Sequence, residues 1–459
     1  MDALHSGGSP RSYLVSSVAT FFVRARRTWA LRQRGFENYG RYLVAAHCGG
    51  QGVSEAAGSD ERDLLVRARH ANHWMAAKAL LSVATLALGA FAMSHSAQAH
   101  GWDGGDRPHH EAEPLVLGHR GASGYVPEHT LTAYFIAIQF GADFVEPDLV
   151  MTKDGVLVAR HENEIGGTTN VADHPEFASR RTTKAIDGVS LTGWFTEDFT
   201  LAELKTLRAK ERIPQIRPAN SRFDGTFEIP TFEEVLNLVQ QVEKQREAAA
   251  RQQGKPAPKR IGVYPETKHP SYFRGISLPM EAQVVRTLKK FGYEGRNAPI
   301  FIQSFEVGNL KDLNRMTRIR LIQLLSAAGQ PYDFVLAHDP RGYADLIKPA
   351  GLKEVASYAY GIGPDKGMVI PRNADGSLAA PTTLVSDAHK AGLKVHAYTF
   401  RAENNFLPLE FRSSTDPTEF GDLVGEIKAH LAVGLDGFFT DQSNFGVQAR
   451  DEFVDERGH

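Results

Sequence analysis

The chain has 459 residues, of which 42% are hydrophobic and 9% aromatic, and its formal net charge is -2 at pH 7. That composition excludes a disordered chain, and the near-zero charge excludes a global field that recruits nucleic acid. A polyanionic partner therefore has to be argued from local residues. The single cysteine, Cys48, excludes an internal disulfide framework and a cysteine zinc site.

Residues 1–99 read as a leader. Residues 1–74 are Arg-rich without clear periodicity, as expected if the start is assigned too far upstream and Met75 is the true beginning. From Met75 come Lys78, an apolar run over Ala79–Met93 and the small-x-small triplet Ala97-Gln98-Ala99, a signal-peptide pattern with cleavage expected after Ala99. The apolar run is about fifteen residues, short of the roughly twenty that span a bilayer. Secretion or periplasmic export without a stable membrane anchor is the expectation. Arg26-Arg27 resembles a twin-arginine element, but no apolar run follows it closely. Residues 100–113, with His100, His109 and His110, read as a solvated linker.

From Pro114 to about residue 454, short apolar strands alternate with helical patterns. The strands expected are Leu115–Gly118, Phe144–Asp148, Ile261–Glu266, Ile300–Phe305, Arg320–Leu325, Ala356–Gly361, Val395–Phe400 and Gly437–Thr440. Thr130 opens a helix that Gly141 ends, while Thr200 with Glu203 and Thr231 with Glu234 form capping boxes. Parallel strands alternating with helices in this number imply an α/β fold, a (β/α)8 TIM barrel, with its chemistry on the loops at the strand C-terminal ends. An open doubly wound sheet is the runner-up, but the chain shows no dinucleotide fingerprint. The interval from about 162 to 258 is too long for one strand-helix-strand step. It reads as a small insertion after the second strand, carrying Trp194, Phe195 and Phe199, and serving equally as a packing module or a lid.

The chemistry-bearing residues sit at strand ends. Leu115–Thr130, LVLGHRGASGYVPEHT, ends a buried strand in His119 and Arg120, two cationic-capable side chains that need an anion to face. In the next strand Glu146 and Asp148 are two apart, so both carboxylates share a face, roughly 7 Å apart along it. They repel one another unless a cation or proton intervenes. Asp154-Gly155 is a two-residue hairpin signal, and that register sets His161 opposite Asp148, about 5 Å away at Cβ; a three-residue loop shifts it by one. The third strand ends in Glu266 and Lys268, again on one face. Glu146, Asp148 and Glu266 together offer three hard oxygen ligands that suit Ca²⁺ or Mg²⁺ better than zinc, with Ca²⁺ favoured. Arg120 and Lys268 suit a bound phosphate, as a bidentate fork and a point charge.

HRGASGYVPEHT, GADFVEPDLVMTKDGVLVARHE and PETK resemble the glycerophosphodiester phosphodiesterases in order and spacing along almost all of the chain after the leader. HAYTFRAENNFLP and GLDGFFTD, the latter Gly434 to Asp441, are similar to the secreted bacterial branch. The resemblance implies a (β/α)8 barrel with a small insertion, a divalent cation, and hydrolysis of glycerophosphodiesters to glycerol 3-phosphate and an alcohol. It implies that His119 and His161 are the general acid/base pair, that Glu146, Asp148 and Glu266 hold the metal, and that Arg120 and Lys268 hold the phosphate. Glu162 follows the second histidine where aspartate is commoner, and Tyr398 stands where some members have tryptophan.

That division of labour is what the reaction needs. A phosphodiester anion repels nucleophiles, so positive charge must spread over the phosphoryl oxygens. One group must take a proton while another protonates the leaving alkoxide, and histidines near neutrality do both. A small-molecule glycerophosphodiester is the expected partner, with teichoic-acid chain ends a related one and nucleic acid excluded. A catalytically idle barrel that binds phosphoglycerol polymers at a cell surface is the alternative. Gln303, Ser304, Arg401 and Asp441 fall on the same rim, with a structural role at least as fitting for each; Glu128, ahead of the Thr130 cap, serves equally to orient a catalytic group or to answer the helix dipole.

Overall fold

A computed structural model describes residues 113–458. The leader, its cleavage point after Ala99, Cys48 and the linker up to residue 112 lie outside the described residues. Among the described residues, no helix is long and apolar enough to cross a membrane.

In chain order the strands are β1 Leu115–His119, β2 Phe144–Glu146, β3 Asp148–Met151, β4 Leu157–Ala159, β5 Thr182–Ile186, β6 Val189–Gly193, β7 Gly262–Val263, β8 Glu266–Thr267, β9 Phe301–Ser304, β10 Arg320–Leu325, β11 Gly361–Pro364, β12 Lys394–Phe400 and β13 Gly437–Thr440. Pairing runs β3-β8-β9-β10-β11-β12-β13-β1-β2-β7. Pro147 separates β2 from β3, and Tyr264-Pro265 separates β7 from β8. The two ends of the order are therefore halves of the same two strands, and a ring of eight parallel strands closes, with Val263 also bridging Ile300. A proline has no N–H for the ladder, so each break is local. The Pro147 carbonyl still accepts from Glu266 N–H at 3.0 Å, and the Pro265 carbonyl from Gln303 N–H at 2.9 Å.

Leu117, Phe144, Tyr264, Phe301, Ile322 and Phe439 fill the barrel interior. Gly262 is required there, since a Cβ would lie 2.0 Å from the Phe144 ring. The larger core lies between the strands and the surrounding helices. Helix Phe232–Gln252, opened by the Thr231/Glu234 capping box, buries Phe232, Val235, Leu236, Val239 and Val242, a 3.6-residue period that makes one apolar face. It packs on helix Leu131–Gln139, β4 and β7.

Three sequence expectations change. The strand expected at Ala356–Gly361 starts where that segment ends: Ala356 closes helix Pro349–Ala356 and the strand is Gly361–Pro364. Gly-Ile-Gly-Pro has poor β propensity, but a Cβ at Gly361 would stand 2.5 Å from the Lys394 carbonyl, so close packing selects glycine. The interval 162–258 divides, because helix Phe232–Gln252 belongs to the ring. What remains carries the β5-β6 hairpin, the short helix Leu201–Leu204 and one-turn helices. In it Phe195 and Phe199 are buried, with Phe177 edge-on to Phe199 at 5.1 Å; Trp194 donates to the Phe177 carbonyl at 2.8 Å. These four side chains pack the insertion.

The third change is the hairpin register. Thr152 N–H donates to Val156 O at 3.0 Å and Gly155, at φ +73°, donates to Thr152 O at 3.0 Å, so the loop holds three residues, Lys153 to Gly155. Leu149 pairs with Ala159, and Asp148 therefore faces Arg160, whose N–H donates to the Asp148 carbonyl at 3.0 Å. The extra residue sends Arg160 inward. Only 1% exposed, it donates to the carbonyls of Ala159, Glu128, His129 and Thr168 at 2.8, 2.6, 3.0 and 3.2 Å. Removing it orphans carbonyls around the left-handed His129, φ 54°. Arg160→Met is expected to cost about 3 kcal/mol in urea unfolding; a midpoint unchanged from the parent would contradict this role.

Candidate active site

Glu146, Asp148 and Glu266 flank the two proline breaks at the C-terminal end of the ring, and their carboxylate oxygens converge to within 4.8 Å of one another. All three are buried. Glu146 accepts from the Arg120 backbone N–H at 2.8 Å and from Gln303 Nε2 at 3.1 Å. Asp148 Oδ2 meets His129 Nε2 at 2.9 Å, and Glu266 meets Lys268 Nζ at 3.0 Å. Asp148 Oδ1 and Gln303 Oε1 have no hydrogen-bond partner.

Burial, then the charge of Asp148, raises the Glu146 carboxyl well above its ordinary range. Burial pushes Glu266 up to about 8, against the pull of Lys268 and with the push of Asp148. Asp148 stays well below its ordinary value despite burial, through its His129 hydrogen bond and the Lys268 charge. Three carboxylates this close cannot all ionise without added positive charge. Hard oxygen donors, one buried and unpartnered, with no sulfur among them, fit a divalent cation.

Both histidines are pinned through Nδ1. His119, at the end of β1, lies 2.6 Å from Asp441 at the end of β13. His161, just past β4, lies 2.7 Å from Glu162 Oε1. A carboxylate on Nδ1 places the hydrogen there and leaves Nε2 as the free base. Burial first, and then Arg120, lowers His119 to about 4; burial, Arg120 and Lys268 lower His161 to about 3. Near neutrality both rings are uncharged. His161 Nε2 stands 3.4 Å from Lys268 Nζ, so the chain delivers this histidine to the site although the expected pairing with Asp148 does not form.

Arg120, at φ +58°, reaches Glu128 at 2.9 Å and Asp148 at 3.6 Å, leaving Nε without a hydrogen bond. Arg212 holds the same Glu128 oxygen at 2.9 Å. One side of the expected fork is thus already engaged. Gly121 beside it has φ +84°, and a Cβ there would lie 2.5 Å from the Ala133 backbone, which fixes the turn that aims Arg120 inward. All seven residues expected from the sequence line one cavity of about 450 Å³.

Further participants emerge only from the packing. Asp441 is held by Arg217 at 2.6 Å and Arg401 at 2.9 Å, and Arg217 also pairs with Glu403 at 2.6 Å. Arg217 lies in the insertion. A second tie runs from the insertion hairpin: Asp187 to His269 at 2.6 Å, His269 to Glu162 at 2.9 Å, and Glu162 to His161. Asp441 and Glu162 had a sequence signal, as a rim acid and as the neighbour of His161; Arg217 and Asp187 had none.

The raised carboxyls imply a pH dependence. A Glu266 carboxyl lifted to about 8 contributes stability below its unfolded value of about 4.5 and loses it as pH rises through 8. His269, raised to about 9 by Asp187 and Glu162 against burial, acts in the same direction. The lowered histidines act in the opposite direction, and their contribution levels off only once pH has passed their unfolded value of 6.5. The metal-free chain is therefore expected to lose stability from about pH 7.5 to 8.5. Ca²⁺ is expected to raise the thermal midpoint more at pH 8 than at pH 6.5, because it displaces protons from the carboxyls. Equal rises at both pH values would rule this out.

The model of the Glycerophosphoryl diester phosphodiesterase family matches residues 119–444. A curated relative, glycerophosphodiester phosphodiesterase GDPD6 of Arabidopsis thaliana, is 38% identical over 349 residues, covering 73% of this chain and 85% of its own length. The glycerophosphodiester phosphodiesterase of Haemophilus influenzae is 29% identical over 359 residues, covering 74% of this chain and 90% of its own. The crystal structure of a Silicibacter pomeroyi protein, named for the same activity, shares the fold with a TM-score of 0.51 at 22% identity, over 75% of this chain and 95% of that one. With the family profile spanning most of the barrel, the chain belongs to the glycerophosphoryl diester phosphodiesterase family.

Proposed function

We propose that this phosphoric diester hydrolase cleaves glycerophosphodiesters to sn-glycerol 3-phosphate and an alcohol, with His119 and His161 exchanging protons across the scissile phosphate. The observation that carries this reading is the joint presence, in one cavity of about 450 Å³, of two Nδ1-pinned histidines, three convergent acids, Arg120 and Lys268. The same diester occurs at teichoic-acid chain ends, which fall within the proposed substrate class.

A divalent cation held by Glu146, Asp148 and Glu266 would supply charge stabilisation to the phosphoryl oxygens. Ca²⁺ is preferred over Mg²⁺, because a donor spread of up to 4.8 Å suits longer metal-oxygen bonds. Arg120 Nε and Lys268 Nζ bind the phosphate anion. That anion offsets the two cations that depress His161, so the ring regains basicity once substrate is bound and can carry a proton. His119, its Nδ1 hydrogen on Asp441, takes the proton of the substrate's glycerol hydroxyl at Nε2. The hydroxyl oxygen attacks phosphorus, the bond to the alcohol oxygen breaks, and the protonated His161 gives its hydrogen to that oxygen. Water then opens the cyclic phosphate with the two rings in reversed roles.

The test is release of sn-glycerol 3-phosphate from glycerophosphocholine, measured with and without EDTA. EDTA and His119→Ala are each expected to lower kcat by about 10²-fold or more, and rapid-quench phosphorus NMR is expected to show the cyclic phosphate. Activity surviving both changes would sink the mechanism. Binding of phosphoglycerol polymer with no turnover would instead support the idle barrel.

The place of action is proposed as outside the cytoplasm, supported by the Met75–Ala99 signal pattern. N-terminal sequencing of the exported chain is expected to begin at His100; a chain retained in the cytoplasm with Met75 intact would refute this.

A further inference from the structure

The cavity extends well past the acids. Its other end lies across the ring, over the C-terminal ends of β11 and β12 and the helix Leu423–Leu431, where Asp365, Lys366, Ile370, Arg372, Glu426 and His430 line it. Lys366 Nζ meets Glu426 Oε1 at 2.6 Å, and Arg372 stands 4.0 Å from the same oxygen. Glu426 is fully buried and His430 is 1% exposed, and neither Glu426 Oε2 nor His430 Nε2 has a hydrogen-bond partner. The residues assigned to phosphate binding and proton transfer lie at and just past β1, β4 and β8 rather than here, so nothing in the proposed reaction accounts for this polar end.

Three of the aromatic rings nearby already carry a protein cation, while Tyr398 and Phe439, which also line the cavity, stand edge-on to Phe305 and Tyr264. Lys268 sits 5.8 Å over Phe305, Lys366 5.1 Å over Phe400 and Arg401 4.9 Å over Phe406. A quaternary ammonium is recognised by open aromatic faces, and here protein cations occupy three of them. Those cations, with Arg372, also repel a positively charged head group. A hydroxyl group both donates and accepts. Lys366 and Arg372 offer donors to it, and Glu426 and His430 offer acceptors that have no other partner. A phosphorylated head group would meet the Glu426 carboxylate.

We infer that the end of the cavity built by Lys366, Arg372, Glu426 and His430 is a subsite for a neutral, hydroxyl-rich head group of the glycerol, inositol or sugar type. This rests on the diester-hydrolase reading and names the alcohol that leaves.

The test compares kcat/KM of the full chain, with Ca²⁺, for glycerophosphoglycerol, glycerophosphoinositol and glycerophosphocholine. The two polyol substrates are expected to exceed glycerophosphocholine by at least about tenfold. Arg372→Ala is expected to bring that ratio to within about twofold, chiefly through a higher KM for the polyol substrates. Glu426→Gln is expected to act likewise; because it leaves Lys366 buried without a countercharge, its circular dichroism is checked first and Arg372→Ala decides if it fails to fold. Glycerophosphocholine cleaved as well as the polyols, or an equal loss for all three in Arg372→Ala, overturns the subsite. Turnover of none of the three overturns the hydrolase reading, and the subsite falls with it.

Discussion

Three carboxylates held within 4.8 Å of one another and shielded from water are the constraint around which this molecule is arranged. Their mutual repulsion is large in a low-dielectric interior, so the fold places positive or proton-donating groups against them on every side: the Arg120 backbone N–H and guanidinium, His129, Lys268 and the Gln303 amide. These groups come from the turn after β1, from the segment after β8 and from β9.

Burial and the same cations set the state of the histidines. Burial first, then Arg120, lowers His119, and burial, Arg120 and Lys268 lower His161. Both rings are therefore neutral near pH 7. In the proposed reaction a bound phosphate anion offsets the share of this that comes from the cations, which ties proton transfer to substrate binding through electrostatics.

The insertion is joined to this centre at two points. Arg217 grips Asp441 behind His119, and the β5-β6 hairpin reaches His161 through Asp187, His269 and Glu162. Its aromatic side chains pack among themselves, as a packing module would, while its charged residues hold the carboxylates that face both histidine rings. The buried Arg217–Asp441 pair gives little net stability but does hold geometry.

The residues that line the candidate site were legible because each sits at or just past a strand end, in a stretch whose neighbours are apolar, so that charge there needs a reason. Hydrophobic period and turn residues located seven of the eight strands. The sixth escaped because its glycines answer to a neighbouring backbone rather than to local propensity. His161 lines the cavity, but not through the expected register: the local Asp-Gly signal cannot tell a two-residue from a three-residue turn, whereas the pairing of Leu149 with Ala159 can. Asp441 pairs with His119 across 322 positions, and Arg217 reaches it from the insertion. By itself, then, the sequence determined the order of strands and helices, the site's chemical inventory and the family, since these depend on local pattern and residue type. Closure of the ring alone decided which carboxylate orients which histidine, which cations cover which rings and where the cavity ends, because those are contacts between segments far apart along the chain.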